Sequence, residues 1–254
     1  MFKKNYLSVY ITDENIVASE FDNGIFIDKP IADIIKTVNI EWDSSKKVYE
    51  QIEIIITLLN YCVSRLNVKF MDSIMLFLII PVEYESVIHD KAIEDALFKV
   101  KHISDVAFIE NILSAGATFL PKTSTDYKRK FIIYSEKKKT YISLLWVNAK
   151  VDFVCIEKEL TDVTKDDLLN SINIISIKVT RDIPYIFEAH PEIDKFRYSW
   201  KEPIENNVYV IAPDRMQYYW GEFIDEYKLV YIDYMDNIVL KGADTVIEII
   251  KKNK

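Results

Sequence analysis

Apolar and polar residues alternate through the opening of the chain, in "YLSVYIT", "NIVASEF" and "GIFIDKP", broken by Asp13-Glu14 and Asp22-Asn23-Gly24. A period of two marks strands with one buried face, and the Asp-Asn-Gly triplet is a hairpin signal. The stretch around Trp42 is less regular. The period then changes: Val48, Ile52, Ile55, Ile56, Leu59, Cys62, Val63 and Leu66 recur at helical spacing. This predicts a helix over 45–66, capped by Ser44 or Ser45.

"SIMLFLIIP" (73–81) is a continuous apolar run ended by proline, the pattern of a strand buried on both faces. The pattern then predicts a helix over 85–101, a strand over 104–110 and a helix over 111–120, where Ser114, Ala115, Gly116 and Ala117 permit close packing. "FIIYSEKKKTYISLL" (131–145) reads as a hairpin whose turn is almost all charge, and "VDFVCIEKEL" (151–160) extends that sheet. Further expected elements are a helix over 164–190 broken near Pro184, a strand over 207–213, a helix over 215–227, a strand over 228–232 and a last helix over 237–252. Strands followed by alternating helix and strand, twice over, imply an α/β fold with two similar halves.

Composition narrows the function. A net charge of −8 disfavours a general nucleic-acid binder. Half the chain is apolar, enough for one large domain or two small ones. Cys62 and Cys155 lie in apolar surroundings without partner spacing, as expected of reduced core residues in a cytosolic protein. "MFKK" leads into a strand-like segment, so no signal peptide is expected. The apolar runs are too short to span a membrane. The four glycines matter most, because loops that wrap phosphate in backbone N–H groups rely on glycine for close approach.

In this order the segments resemble the MreB family, the bacterial actin-like, rod-shape-determining branch of the actin/Hsp70/sugar-kinase superfamily. "MFKKNYLSVYITDENIV" is similar to the family's opening strand and first phosphate loop, and "GIFIDKP" and "FLIIPVEYES" to the strands that come after it. "VAFIENILSAGATFLP" parallels the segment carrying the paired glutamates. "FIIYSEKKKTYISLL" falls on the second phosphate loop, "NVYVIAPDRMQYYW" on the adenosine motif and "NIVLKGADTVIE" on the closing motif. The resemblance implies a two-domain actin-like (ribonuclease-H-like) fold of mixed sheets with flanking helices, its outer subdomains reduced or missing. The first core domain would take residues 1–125 and 238–254, and the second 126–237.

The departures gather where nucleotide would sit. Tyr10 replaces the acid of the first loop and Thr12 its glycine, while Asn15 is kept. Tyr134 replaces the acid of the second loop, and Glu136, Lys137 and Lys138 its glycines. Ala212, Pro213 and Asp214 replace the glycines of the adenosine motif. Of the paired glutamates Glu110 remains, and Asn111 stands for the second. A phenol is a poor stand-in for a carboxylate that holds Mg²⁺ through its waters, a Cβ intrudes on a phosphate loop, and proline removes a donor. The expectation is a pseudo-ATPase without cofactor, metal or catalytic residue. A lysine turn holding an anion by charge alone is the counter-reading.

The remaining candidates are fewer. His89, His102 and His190 are scattered without ligand spacing. Glu83, Glu85 and Asp90 read as a solvated helix start. Tyr218, Tyr219 and Trp220 read as a packed helix or, alternatively, an interaction surface. Phe70 and Met71, beside Lys69, occupy the place of the family's membrane-inserting loop, so a weak membrane-surface contact competes there with a part-buried loop. The function expected is a cytoplasmic, nucleotide-independent cytoskeletal protein that assembles with itself or with another actin-like filament, peripheral to the inner membrane face where that contact is made. The alternative is a monomeric adaptor docking to a partner filament or envelope complex.

Overall fold

The computed structural model describes residues 4–69, 72–120, 129–136, 139–147, 153–160, 164–175, 204–212, 221, 223–224, 226–233 and 237–252. The chain divides into two units, Met1–Thr118 with Asn237–Glu248, and Phe119–Asp236 with Ile249–Lys254.

The first unit is built on a five-stranded sheet in the order β3-β2-β1-β4-β5. Strands β1 (Lys4–Ile11), β2 (Asn15–Glu20) and β3 (Gly24–Pro30) form the antiparallel meander that the alternation predicts. β4 (Ser73–Ile80) lies between β1 and β5 (Ile103–Glu110), parallel to both. That central position explains its unbroken apolar run, since both faces are buried from Leu76 to Ile80. One face of the sheet carries a core of Leu7, Val9, Ile11, Leu76 and Leu78 with Ile55, Leu58, Leu59 and Cys62 of helix α2 (Ile52–Arg65).

Several local expectations are revised. Residues 31–38 form a short helix, α1 (Ile31–Val38), inside the stretch that shows no clear period. The helix expected over 45–66 splits into a 3-10 turn at Val48–Glu50 and α2. Ser45 caps neither; its amide and hydroxyl both donate to Asp43 Oδ1, at 3.1 and 2.6 Å. The helix expected over 85–101 becomes 3-10 turns over Val82–His89 followed by α3 (Lys91–Leu97). Of the three acids expected at a helix start, Asp90 alone takes that place, capping α3 by accepting from the amides of Ala92 and Ile93, while Glu83 and Glu85 lie in the 3-10 turns before it.

Helix α4 (Asn111–Ala117) follows β5 directly, and α6 (Ile238–Lys252) closes the chain. The small residues let the two meet: Ser114 Oγ donates to the Val239 carbonyl at 2.6 Å. A Cβ on Gly242 would lie 1.4 Å from the Ser114 carbonyl oxygen. Glycine is needed there for space. Elsewhere the glycine-poor chain uses other residues in left-handed conformations, among them Asp22, Asn39 at the end of α1 and Asn237. Short polar side chains tolerate that region best.

The second unit repeats the plan. Its six-stranded sheet runs β10-β11-β9-β6-β7-β8. Strands β6 (Arg129–Glu136), β7 (Lys139–Val147) and β8 (Phe153–Glu159) form an antiparallel meander, and β9 (Ile204–Ala212) and β11 (Tyr227–Asp233) add in parallel. The order from β8 to β11 thus matches that from β3 to β5. Helix α5 (165–175) contributes Leu168, Ile172 and Ile175 to a core with Phe131, Ile133, Val208 and Val210. The helix expected over 215–227 fails at its end: Phe223–Ile224 form the edge strand β10, antiparallel to β11. Tyr218, Tyr219 and Trp220 lie outside the described residues.

Candidate functional site: the strand-end turns of the two sheets

β1 and β2 are joined through Asp13-Glu14, and Thr12 closes the turn. Its amide donates to the Asn15 carbonyl at 2.9 Å. Its hydroxyl accepts from the amide of Asn15 at 3.0 Å and from that of Glu14 at 3.3 Å, and donates to the Asn15 carbonyl at 3.2 Å. This is a turn closed by a threonine hydroxyl bonding to nearby backbone. The Glu14 carbonyl accepts from the Ile31 amide at 2.8 Å, which fastens the start of α1 to the turn. The amides of Thr12, Glu14 and Asn15 are therefore engaged within the turn itself.

Asp13 anchors the turn from its other side. One carboxylate oxygen accepts from the Val48 amide at 3.1 Å, the other from the Tyr84 hydroxyl at 2.5 Å. The Tyr84 ring packs against Tyr49 at 4.7 Å between centroids, and the Tyr49 hydroxyl donates to the Ile11 carbonyl at 3.1 Å. Burial first, and then the bond to Asp13, push the Tyr84 hydroxyl well above its ordinary pKa. Burial does the same for Tyr49, where the nearby Tyr84 adds to it. Sequence reasoning missed these partners. The available signal was that Asp13 is an acid within the first loop.

Tyr10 is buried on the face of β1 opposite Val9 and Ile11. Its hydroxyl accepts from Asn111 Nδ2 at 3.4 Å. Asn111 Oδ1 accepts from the Val82 amide at 3.2 Å and the Ile112 amide at 2.9 Å. The side chain thus joins the segment after Pro81 to the first turn of α4. The structure brings Tyr10 and Asn111 together. Thr12 and Asn15 share the neighbouring turn, and half-buried Glu110 ends β5.

In the second unit Tyr134 is fully buried near the end of β6, on the face away from Phe131 and Ile133. It pairs in register with Ile211, two residues before Pro213, as Tyr10 pairs with Ile79, two before Pro81. Tyr10 and Tyr134 are therefore topological counterparts. Glu136 pairs with Lys139 at the hairpin end, so the strands run closer to the turn than the sequence suggests. Behind that end the Thr140 hydroxyl donates to Ser135 Oγ at 3.1 Å. Ala212 is buried at the end of β9. Lys137, Lys138, Pro213, Asp214, Phe70 and Met71 lie outside the described residues.

His102 Nδ1 donates to the Asp72 carbonyl at 3.2 Å, a structural use of that ring. Among the described residues no three His, Cys, Asp or Glu side chains gather to hold a metal, and no helix is long and apolar enough to cross a membrane.

Two sheets of the same order, each with an antiparallel meander followed by parallel strands, define the actin-like ATPase fold. In structure the chain is similar to MreB5 of Spiroplasma citri bound to ADP, over 98% of each chain, with a TM-score of 0.55 and 13% identity. It is also similar to ParM from a 15-stranded filament of Clostridium botulinum, over 97% of this chain and 99% of that one, with a TM-score of 0.52 and 11% identity. No protein-family model matches the sequence, and neither does any curated protein.

Proposed function

We propose that this chain is a degenerate, shortened relative of the MreB family, a cytoskeletal protein that neither binds nor hydrolyses ATP and that forms or joins filaments linked to cell shape. The observation that carries the reading is the Thr12 turn, whose hydroxyl accepts from the amides of Glu14 and Asn15. The buried neutral pair of Tyr10 and Asn111 supports it, since the resemblance sets carboxylates at both positions. Only α1 and a 3-10 turn occur between β3 and α2, which favours a reduced outer subdomain in the first half. The working place of such a protein is the cytoplasm.

A filament protein without nucleotide sets its assembly by concentration alone. Head-to-tail contacts between identical subunits that do not close give open filaments. Pelleting and electron microscopy at tens of micromolar protein test this, with and without Mg-ATP or ADP. Filaments unchanged by nucleotide are the expected result. Assembly that appears only with ATP overturns the reading, and a protein monomeric throughout selects the adaptor.

A further inference from the structure

A cavity of about 500 Å³ opens in the first unit, lined among others by Lys47, Tyr49, Glu50, Glu83, Tyr84 and Asp90. None of the positions where the resemblance is broken lines it. Its walls divide by character. Tyr49 and Tyr84 are buried and form an aromatic side. Glu50, Glu83 and Asp90 are exposed acids of the same lining, in which Lys47 is the one basic residue. Asp90 is occupied in capping α3, whereas Glu50 and Glu83 make no ion pair among the described residues.

The aromatic side is held rigid. The Tyr84 hydroxyl is fixed on Asp13 at 2.5 Å and its ring lies against Tyr49. That ring already receives a cation, for Lys47 Nζ lies 5.1 Å from its centroid. A fixed aromatic face beside carboxylates suits a planar cation better than a spherical one. A guanidinium stacks on the ring while its N–H groups donate in plane to carboxylates, which an ammonium cannot do. The cavity is also of a size that holds a whole small ligand rather than the tip of one side chain. Chain on either side of the cation is needed to fill it.

We propose that this pocket receives an arginine of a partner protein, its guanidinium lying on Tyr84 in place of the Lys47 ammonium and donating to Glu50 and Glu83. The docking segment is then basic, complementary to this rim and to the net charge of −8.

The test uses the full chain and a fluorescent peptide, Gly-Ser-Arg-Ser-Gly, with its neutral citrulline isostere as control. Saturable binding of the arginine peptide, weakened about fivefold or more by citrulline, by Glu50→Gln or by Glu83→Gln, is expected. Lys47→Met removes the competing ammonium and tightens binding about two- to fivefold. These side chains are exposed, so unchanged thermal melts confirm folding. Equal binding of both peptides, or of neither, overturns the proposal. So does spermidine competing as well as the arginine peptide, which would make the pocket a site for free polyamine.

Discussion

Asn111 Nδ2 donates to the Tyr10 hydroxyl across 3.4 Å, and both side chains are buried. Two positions that the resemblance reserves for carboxylates thus carry neutral groups bonded to each other. Asn111→Ala removes an acceptor from two amides and a donor from Tyr10. Buried groups left unsatisfied cost about 1–3 kcal/mol each. A stability loss of about 2–3 kcal/mol is expected by urea denaturation. Asn111→Asp keeps the acceptor and is expected to lose less. An alanine variant as stable as the parent would show that the amide does not join these segments.

Thr12→Ala releases the amides of Glu14 and Asn15 without restoring a phosphate loop. The expected outcome is a loss of about 1 kcal/mol, in line with a lost side-chain cap. Millimolar Mg-ATP should leave the melting temperature of parent and variant unchanged, because a ligand that binds only the native state must raise it. A rise of several degrees in the parent would contradict the reading of the loops.

Gly242→Ala tests the packing of α4 on α6. An added methyl meets the backbone of Ser114 at 1.4 Å, where no side-chain rotation relieves it. Overpacking commonly costs about 1–3 kcal/mol, and a rigid backbone neighbour sets the loss at or above that upper end. Chemical denaturation measures it. A loss below about 1 kcal/mol would show that the helices separate freely.

Alkaline pH should weaken the protein through Tyr49 and Tyr84. Their folded-state pKa values lie above the ordinary value near 10, so the folded state favours the protonated hydroxyls. Their contribution is complete below pH about 10 and is lost as pH rises past it toward the folded-state values. Phenolate absorbance should show a fraction of the tyrosines ionising only with unfolding. Tyr84→Phe should reduce the loss of stability at high pH, and an unchanged alkaline profile would remove Tyr84 from this role.

Burial pushes the Cys62 thiol up to about 12. Thiolate is the reactive form, so Cys62 should resist alkylation in the native protein at pH about 8 and react once urea unfolds it. Peptide mass spectrometry resolves this position, and rapid native labelling would mean that α2 opens readily.

What the sequence alone determined is local and periodic. Alternation in "YLSVYIT" and "NIVASEF" marked strands, and the apolar run of β4 marked a central strand. These patterns are legible because burial on one face or two repeats along the chain itself. The tertiary structure decided the rest. Phe223 and Ile224 joined a strand because β11 offered an unpaired edge, against the helical reading of 215–227. Asp13 found Tyr84 from 71 positions away, and Tyr10 found Asn111 from 101. No spacing records such pairs. They form because neighbouring parallel strands carry the segments at their ends to the same edge of the sheet, where each buried polar group must find a partner.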